Sequence, residues 1–162
     1  MPKHIIKFDG TEFGFLSNFY ASDMEIERTG PFSTFSLSEA TPPSKIYSTV
    51  EHAFQAAKTL NDRDSELIRI AVTPGEAKKM GRKVNLREDW EEVKDDIMLF
   101  CLRKKFENKE LKDKLLATGN AVLIEGNKWH DSEWGVCYCD RCNGVGKNKL
   151  GTLLMLVREE YK

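Results

Sequence analysis

The chain has no apolar run long enough to cross a membrane and no excess of charge of either sign. A membrane-spanning helix needs about 20 consecutive, mostly apolar residues, and nothing in the 162 residues approaches that. Lys and Arg total 25 against 26 Asp and Glu, so the broad positive field of a protein that grips nucleic acid through its phosphates is missing. Any anion site must be local. The first nine residues carry charges and lack the apolar core of a secretory signal, and four cysteines without such a signal fit a reducing compartment. A cytoplasmic protein without membrane contact is the expectation. Proline is scarce too: three of the five fall in residues 29–45, which with the glycine-rich stretch 135–148 forms the only loop-like sequence, and no repeat of fixed period occurs. A content of 40% hydrophobic and 10% aromatic residues supplies one core and excludes a disordered chain. One domain over residues 1–162 is expected.

Residues 4–8 and 24–26 look like short strands, punctuated by Gly10, Gly14 and Pro31, and predict a small N-terminal sheet. From Ser48 the period turns helical, with Val50, Phe54, Ala57 and Leu60 at spacings of three and four. Thr73-Pro74-Gly75-Glu76 joins an N-cap threonine, a proline at the first helical position and a capping-box glutamate, predicting a short helix to about Arg82. Trp90, Val93, Ile97, Leu99, Leu102 and Phe106 mark a long amphipathic helix, Leu111, Leu115 and Leu116 another, and residues 150–157 a last one. Residues 121–125, between Gly119 and Gly126, are the one strand read in the second half. The fold class is therefore α+β and predominantly helical.

Chemistry concentrates first in residues 47–58. On a helix, Glu51, Gln55 and Lys58 stand at i, i+4 and i+7 and share one face, beside the apolar stripe of Val50, Phe54 and Ala57. A carboxylate, an amide and an amine on one edge can polarise a substrate, hold a water and supply a nucleophile for an aldehyde. The same spacing has a plainer explanation, because Ser48-x-x-Glu51 is a capping-box pattern and Lys58 alone reads as a solvated lysine. His52 points about 100° away from Glu51 and reads as a packed or backbone-bonded residue.

Three other stretches are candidates for binding. Arg82, Lys83 and Arg87 crowd a junction that ends on Asp89 and Trp90, where guanidinium forks suit phosphate and the indole offers a stacking face. Ser17 and Asn18, framed by Phe15, Phe19 and Tyr20, could bond a sugar or base edge while the aromatics stack. Trp134-Gly135, followed by Gly144, Gly146, Asn148 and Gly151, could bring backbone N–H groups to a ligand where the last helix starts. A solvated turn with a core aromatic is the plainer explanation of the first two, and the third matches no Walker or dinucleotide fingerprint. Cys137, Cys139 and Cys142 form a C-x-C-x2-C cluster that suggests zinc but falls short of a closed set unless Cys101 or His130 supplies a fourth ligand. Free thiols in a surface loop are the default.

Together these blocks resemble the NADAR family of YbiA-like proteins. The likeness runs from Phe8 to Arg158 and rests on Phe15-Leu16-Ser17-Asn18-Phe19, the stretch from Thr49 to Lys58, Gly81-Arg82 with Leu86-Arg87-Glu88-Asp89-Trp90, Lys105-Phe106, Thr118-Gly119, Trp134-Gly135, and Gly146 to Gly151 with Leu154-Met155. The resemblance implies a mainly helical α+β fold and hydrolysis of N-glycosidic bonds between ribose and a base or amine, on phosphoribosylamino intermediates of riboflavin synthesis or on ADP-ribose adducts, including ADP-ribosylated guanine in DNA. It places the family's functional glutamate and lysine on Glu51 and Lys58. Ala53 stands where the family often has an aromatic, and the cysteine cluster replaces a loop that is shorter in many relatives.

The expected chemistry follows. Cleaving the C–N bond builds oxocarbenium character at C1′, which an ionised Glu51 would stabilise while orienting water. Lys58 would form an imine with the ring-opened sugar or hold ribose hydroxyls. Asp89 is the candidate second carboxyl, with Glu125 and Asp131 behind it. Arg82, Lys83 and Arg87 would neutralise phosphate, Ser17, Asn18 and Gln55 would read ribose or base, Phe19, Trp90 or Trp134 would stack, and Gly135 and Asn148 would line the site. No cofactor is called for. The competing reading is a module that binds ADP-ribose or a nucleotide without turnover, and a third makes the cysteine loop a zinc knuckle for nucleic acid or a protein partner.

Overall fold

Helix caps written into the sequence set most of the boundaries in the computed structural model, which describes residues 1, 3–28, 32 and 44–162. The proline-rich stretch 29–45 lies largely outside the described residues. The fold is α+β and predominantly helical, and the described residues group into two compact units.

The first unit joins Met1–Ser17 to Phe106–Lys162. It holds β1 (His4–Ile6), α1 (Gly10–Phe13), a 3-10 turn (Gly14–Leu16), and later α6 (Lys109–Ala117), β4 (Val122–Ile124), β5 (Gly126–Asn127), β6 (Val136–Cys137) and α7 (Lys149–Glu160). β1 lies parallel to β4 in the register His4↔Val122. Helix α7 packs on β4, and its Leu150, Leu154 and Val157 are buried. Asn108 caps α6 through its side chain, which accepts from the Leu111 N–H.

The second unit is the continuous segment Asn18–Lys105. It contains β2 (Met24–Glu27), β3 (Ser44–Tyr47), α2 (Val50–Ala56), α3 (Asp62–Arg69), α4 (Pro74–Gly81) and α5 (Trp90–Lys105). Strands β2 and β3 pair antiparallel, so the two early strands expected to share one sheet belong to different ones, each completed by a partner farther along the chain. Thr73 caps α4 with Pro74 inside the first turn, as its sequence predicts, and Glu76 accepts from the Val72 N–H. Helix α2 is wholly buried and is flanked by α3, α4 and α5, with Ile97, Met98 and Leu102 of α5 in the core. It ends one turn earlier than the sequence period suggests, leaving Lys58 in the turn that follows. Among the described residues, no helix is long and apolar enough to cross a membrane.

Candidate functional site

The α2 cap decides what Glu51 does. Thr49, not Ser48, is the N-cap, its hydroxyl accepting from the His52 N–H. Glu51 therefore stands in the first turn with its own N–H donated to the Asn18 carbonyl at 3.1 Å. Its carboxylate accepts from Gln55 Nε2 at 2.7 Å instead of reaching back to the Ser48 backbone, so the capping-box alternative is not what the fold adopts. His52 Nδ1 meets the Thr49 hydroxyl at 2.8 Å and its Nε2 donates to the Ala71 carbonyl at 3.0 Å, a backbone partner and no member of the Glu51 group.

Glu51 is 6% exposed and Gln55 4%. Burial pushes the Glu51 carboxyl above its ordinary value, against the hydrogen bond from Gln55 and the charges of Lys78, Lys58 and His52. Burial likewise lowers the Lys58 amine, opposed by Glu51 and reinforced by Lys78, Arg82 and Lys94. The two values move toward each other. An amine with a lowered pKa spends more time as a nucleophile. Lys58 Nζ sits 5.8 Å from the Trp90 ring centre and 6.0 Å from that of Phe54, and the two rings pack at 5.0 Å, giving the amine an aromatic wall. Gln55 fits only because residue 81 is glycine: a Cβ there would collide with Gln55 Oε1. That oxygen and Asn18 Oδ1 are buried acceptors without a hydrogen-bond partner, the kind of atom a ligand donor satisfies.

The junction after α4 behaves differently from its sequence reading. Arg87 grips Asp89 with two bonds, 2.6 Å from Nε and 2.9 Å from Nη2, and its N–H donates to the Lys58 carbonyl at 2.8 Å. The guanidinium holds the Asp89 carboxyl below its ordinary value, which suits a strut and not a proton donor. Asp89 also starts α5, its carbonyl accepting from the Glu92 and Val93 N–H groups. Arg82 is exposed and adds its charge to the Lys58 environment, whereas Lys83 lines a surface groove with Leu67, Ile70, Val72 and Met80. Lys78 and Lys94 carry no motif of their own. Lys78 stands one helical turn before Arg82, with Nζ 5.9 Å from the exposed Phe19 ring, and Lys94 stands one turn after Trp90, bonded to Glu91 at 2.5 Å. The i, i+4 relation to Arg82 and Trp90 puts each on the same helix face as a candidate, but only the packing of the helices brings those faces to Lys58.

Several first-unit candidates are already committed. The N–H groups of Lys147, Asn148, Lys149 and Leu150 donate to the carbonyls of Ser132, Gly135, Glu133 and Trp134, so the start of α7 does not present them to an anion as expected. Asn148 accepts from the Glu125 N–H at 3.0 Å and donates to the Leu123 carbonyl at 2.9 Å, staking α7 to β4. Asp131 accepts from the Glu133 and Trp134 N–H groups. Gly135 is needed for close approach, since a Cβ there would strike the Glu125 carbonyl. Trp134 is half-buried with Lys149 Nζ 5.6 Å from its ring, and the Ser17 N–H closes the 3-10 turn onto Gly14.

The family model of the NADAR domain matches residues 7–162. The N-glycosidase YbiA of Shigella boydii is 42% identical over 146 residues, 88% of this chain and 86% of that one. A riboflavin biosynthesis protein of Vibrio vulnificus is 33% identical over 152 residues, 92% of this chain and 36% of that longer protein. The NMR structure of the E. coli protein YbiA matches with a TM-score of 0.77 and 35% identity, covering 99% of this chain and 86% of that chain. A family model that spans nearly every residue, joined to a solved relative of the same fold, makes this chain a member of the NADAR family.

Proposed function

We propose that the chain is an N-glycosidase that hydrolyses the C–N bond between a phosphorylated ribosyl group and a base or amine. The observation that carries the reading is the buried Glu51 together with the half-buried Lys58, each displaced from its ordinary pKa toward the other, with the amine beside an aromatic wall. Holding the Glu51 carboxyl out of water destabilises the fold, and a module that only binds has no use for that cost. The name N-glycosidase carried by the Shigella relative supports the reaction class, and the Vibrio relative's name supports a riboflavin-type substrate.

In this reading the neutral Lys58 amine adds to C1′ of the ring-opened sugar. The C–N bond to the base breaks as Glu51 delivers the proton the departing nitrogen needs. Water, deprotonated by the same carboxylate, then cleaves the lysine imine and restores both groups. Gln55 holds the carboxylate in place, and Asn18 Oδ1 accepts a ribose or base donor. Lys78, Arg82 and Lys94 neutralise phosphate, and Trp90 with Phe19 offers stacking faces. Arg87 and Asp89 brace the junction, so Asp89 leaves the acid–base role expected of it from sequence.

The test is release of free base or amine from three substrates: a phosphoribosylamino-pyrimidine, an ADP-ribosyl amine and ADP-ribosylated guanine. Glu51→Gln is expected to cut turnover about 1,000-fold while ligand affinity stays within about tenfold. Borohydride is expected to trap a Lys58 adduct with substrate present. Equal turnover by variant and wild type would overturn the assignment, and no release from any of the three substrates would favour the binding module.

A further inference from the structure

The glycosidase reading leaves unused the loop between β5 and α7. Its sequence holds His130, Cys137, Cys139 and Cys142, and the fold converges all four: their ligand atoms lie within 4.8 Å of one another. His130 Nδ1 is 3.2 Å from Cys142 Sγ and 3.5 Å from Cys139 Sγ. A tetrahedral zinc with Zn–S near 2.3 Å and Zn–N near 2.0 Å has edges of about 3.8 Å between sulfurs and about 3.6 Å between sulfur and nitrogen. The four atoms therefore already stand close to the vertices such an ion requires. All four cysteines of the chain are free thiols, so no disulfide explains the gathering.

The backbone holds these ligands from both sides. Cys137 is buried at the end of β6, paired with Asn127 of β5 and bridged to Val145. Residues 139–142 then turn back, the Cys142 N–H donating to Cys139 Sγ at 3.3 Å and the Asn143 N–H to the Cys139 carbonyl at 2.8 Å. An N–H pointing at sulfur favours the thiolate that a metal needs. His130 reaches the group from a left-handed backbone with φ of 67°, a conformation a non-glycine residue adopts at some cost.

We infer that His130, Cys137, Cys139 and Cys142 form a structural zinc site. Three thiolates and a neutral imidazole are soft ligands that select zinc over calcium or magnesium, and four protein ligands close the coordination sphere with no position left for a substrate or water. Trp134 and Gly135 lie between the first two ligands, and the carbonyls of residues 132–135 receive the N–H groups that start α7. The ion thus clamps the segment on which the last helix is seated.

The experiment uses the full chain, purified without a histidine tag under reducing conditions. Elemental analysis is expected to find about one zinc per chain, falling below about 0.2 in Cys139→Ser and Cys142→Ser. Cobalt added to the stripped protein is expected to give the thiolate charge-transfer and tetrahedral ligand-field bands. Because the serine variants can fail to fold, a second arm uses the wild type alone. Zinc is expected to shield Cys137, Cys139 and Cys142 from iodoacetamide, followed by peptide mass spectrometry, and chelation to expose them. Less than about 0.2 equivalents as purified with no cobalt bands would overturn the site. So would alkylation indifferent to zinc, or metal content unchanged in both serine variants. None of these readouts depends on glycosidase activity.

Discussion

The neighbourhood of Glu51 and the loop around Cys137 hold their polar groups in opposite ways. Around Glu51, polar atoms are driven into an apolar interior by the helices that carry them, and charge is compensated by other buried or half-buried charges. Around Cys137, a partly exposed loop is ordered by backbone hydrogen bonds and by side chains that suit a soft cation. In the proposed glycosidase, the first arrangement trades stability for reactivity. The second gathers its ligands where little apolar surface is available to order a chain.

Five substitutions sharpen that contrast. Asn148→Ala removes both side-chain bonds to the β4 end and leaves a left-handed alanine, so unfolding titration is expected to show a loss of about 3 kcal/mol. Asn148→Gly keeps the backbone free and isolates the hydrogen bonds. Gly81→Ala drives a methyl into Gln55. Stability is expected to fall by about 2 kcal/mol and kcat by about tenfold, as Gln55 releases the Glu51 carboxylate; an active, fully stable variant would show that the contact is slack.

Glu51→Gln is expected to raise stability by roughly 1 kcal/mol near neutral pH. The sign follows from burial. The folded protein holds the Glu51 proton more tightly than the unfolded chain, so wild-type stability falls as pH climbs from the ordinary carboxylate value of 4.5 to the raised folded value and stays lower above it. The gain should vanish below that ordinary value, and a pH-independent difference between the two melting curves would contradict this origin. The smallest effect is expected from Lys109→Ala, which removes an exposed i, i+4 pair with Asp113 and should cost less than about 0.5 kcal/mol by denaturant titration.

Much of this fold is legible from local chemistry. The Thr73-Pro74 cap, the long apolar stripe of α5 and the glycine-bounded β4 all stand where period and punctuation place them. Helix α3 escapes notice because only Ser65 and Ile68 are buried along it, and its Asn61 cap precedes a charged first turn. The pairing of β1 with β4 is invisible because its partner lies more than a hundred residues away. For the site, the Glu51–Gln55 pair follows from i, i+4 spacing. Lys78 and Lys94 reach the Lys58 environment through the arrangement of α4 and α5, which no single helix encodes. Arg87 and Asp89 read as a phosphate clamp and an acid until the fold closes them on each other.

The chain threading has a consequence for biosynthesis. Asn18–Lys105 is continuous and can complete its own contacts once Lys105 has left the ribosome, whereas β1, made before that segment, must wait for Ile124 before its partner strand is there to receive it. A nascent chain stalled between those two points would present a finished middle and an unpaired leading strand.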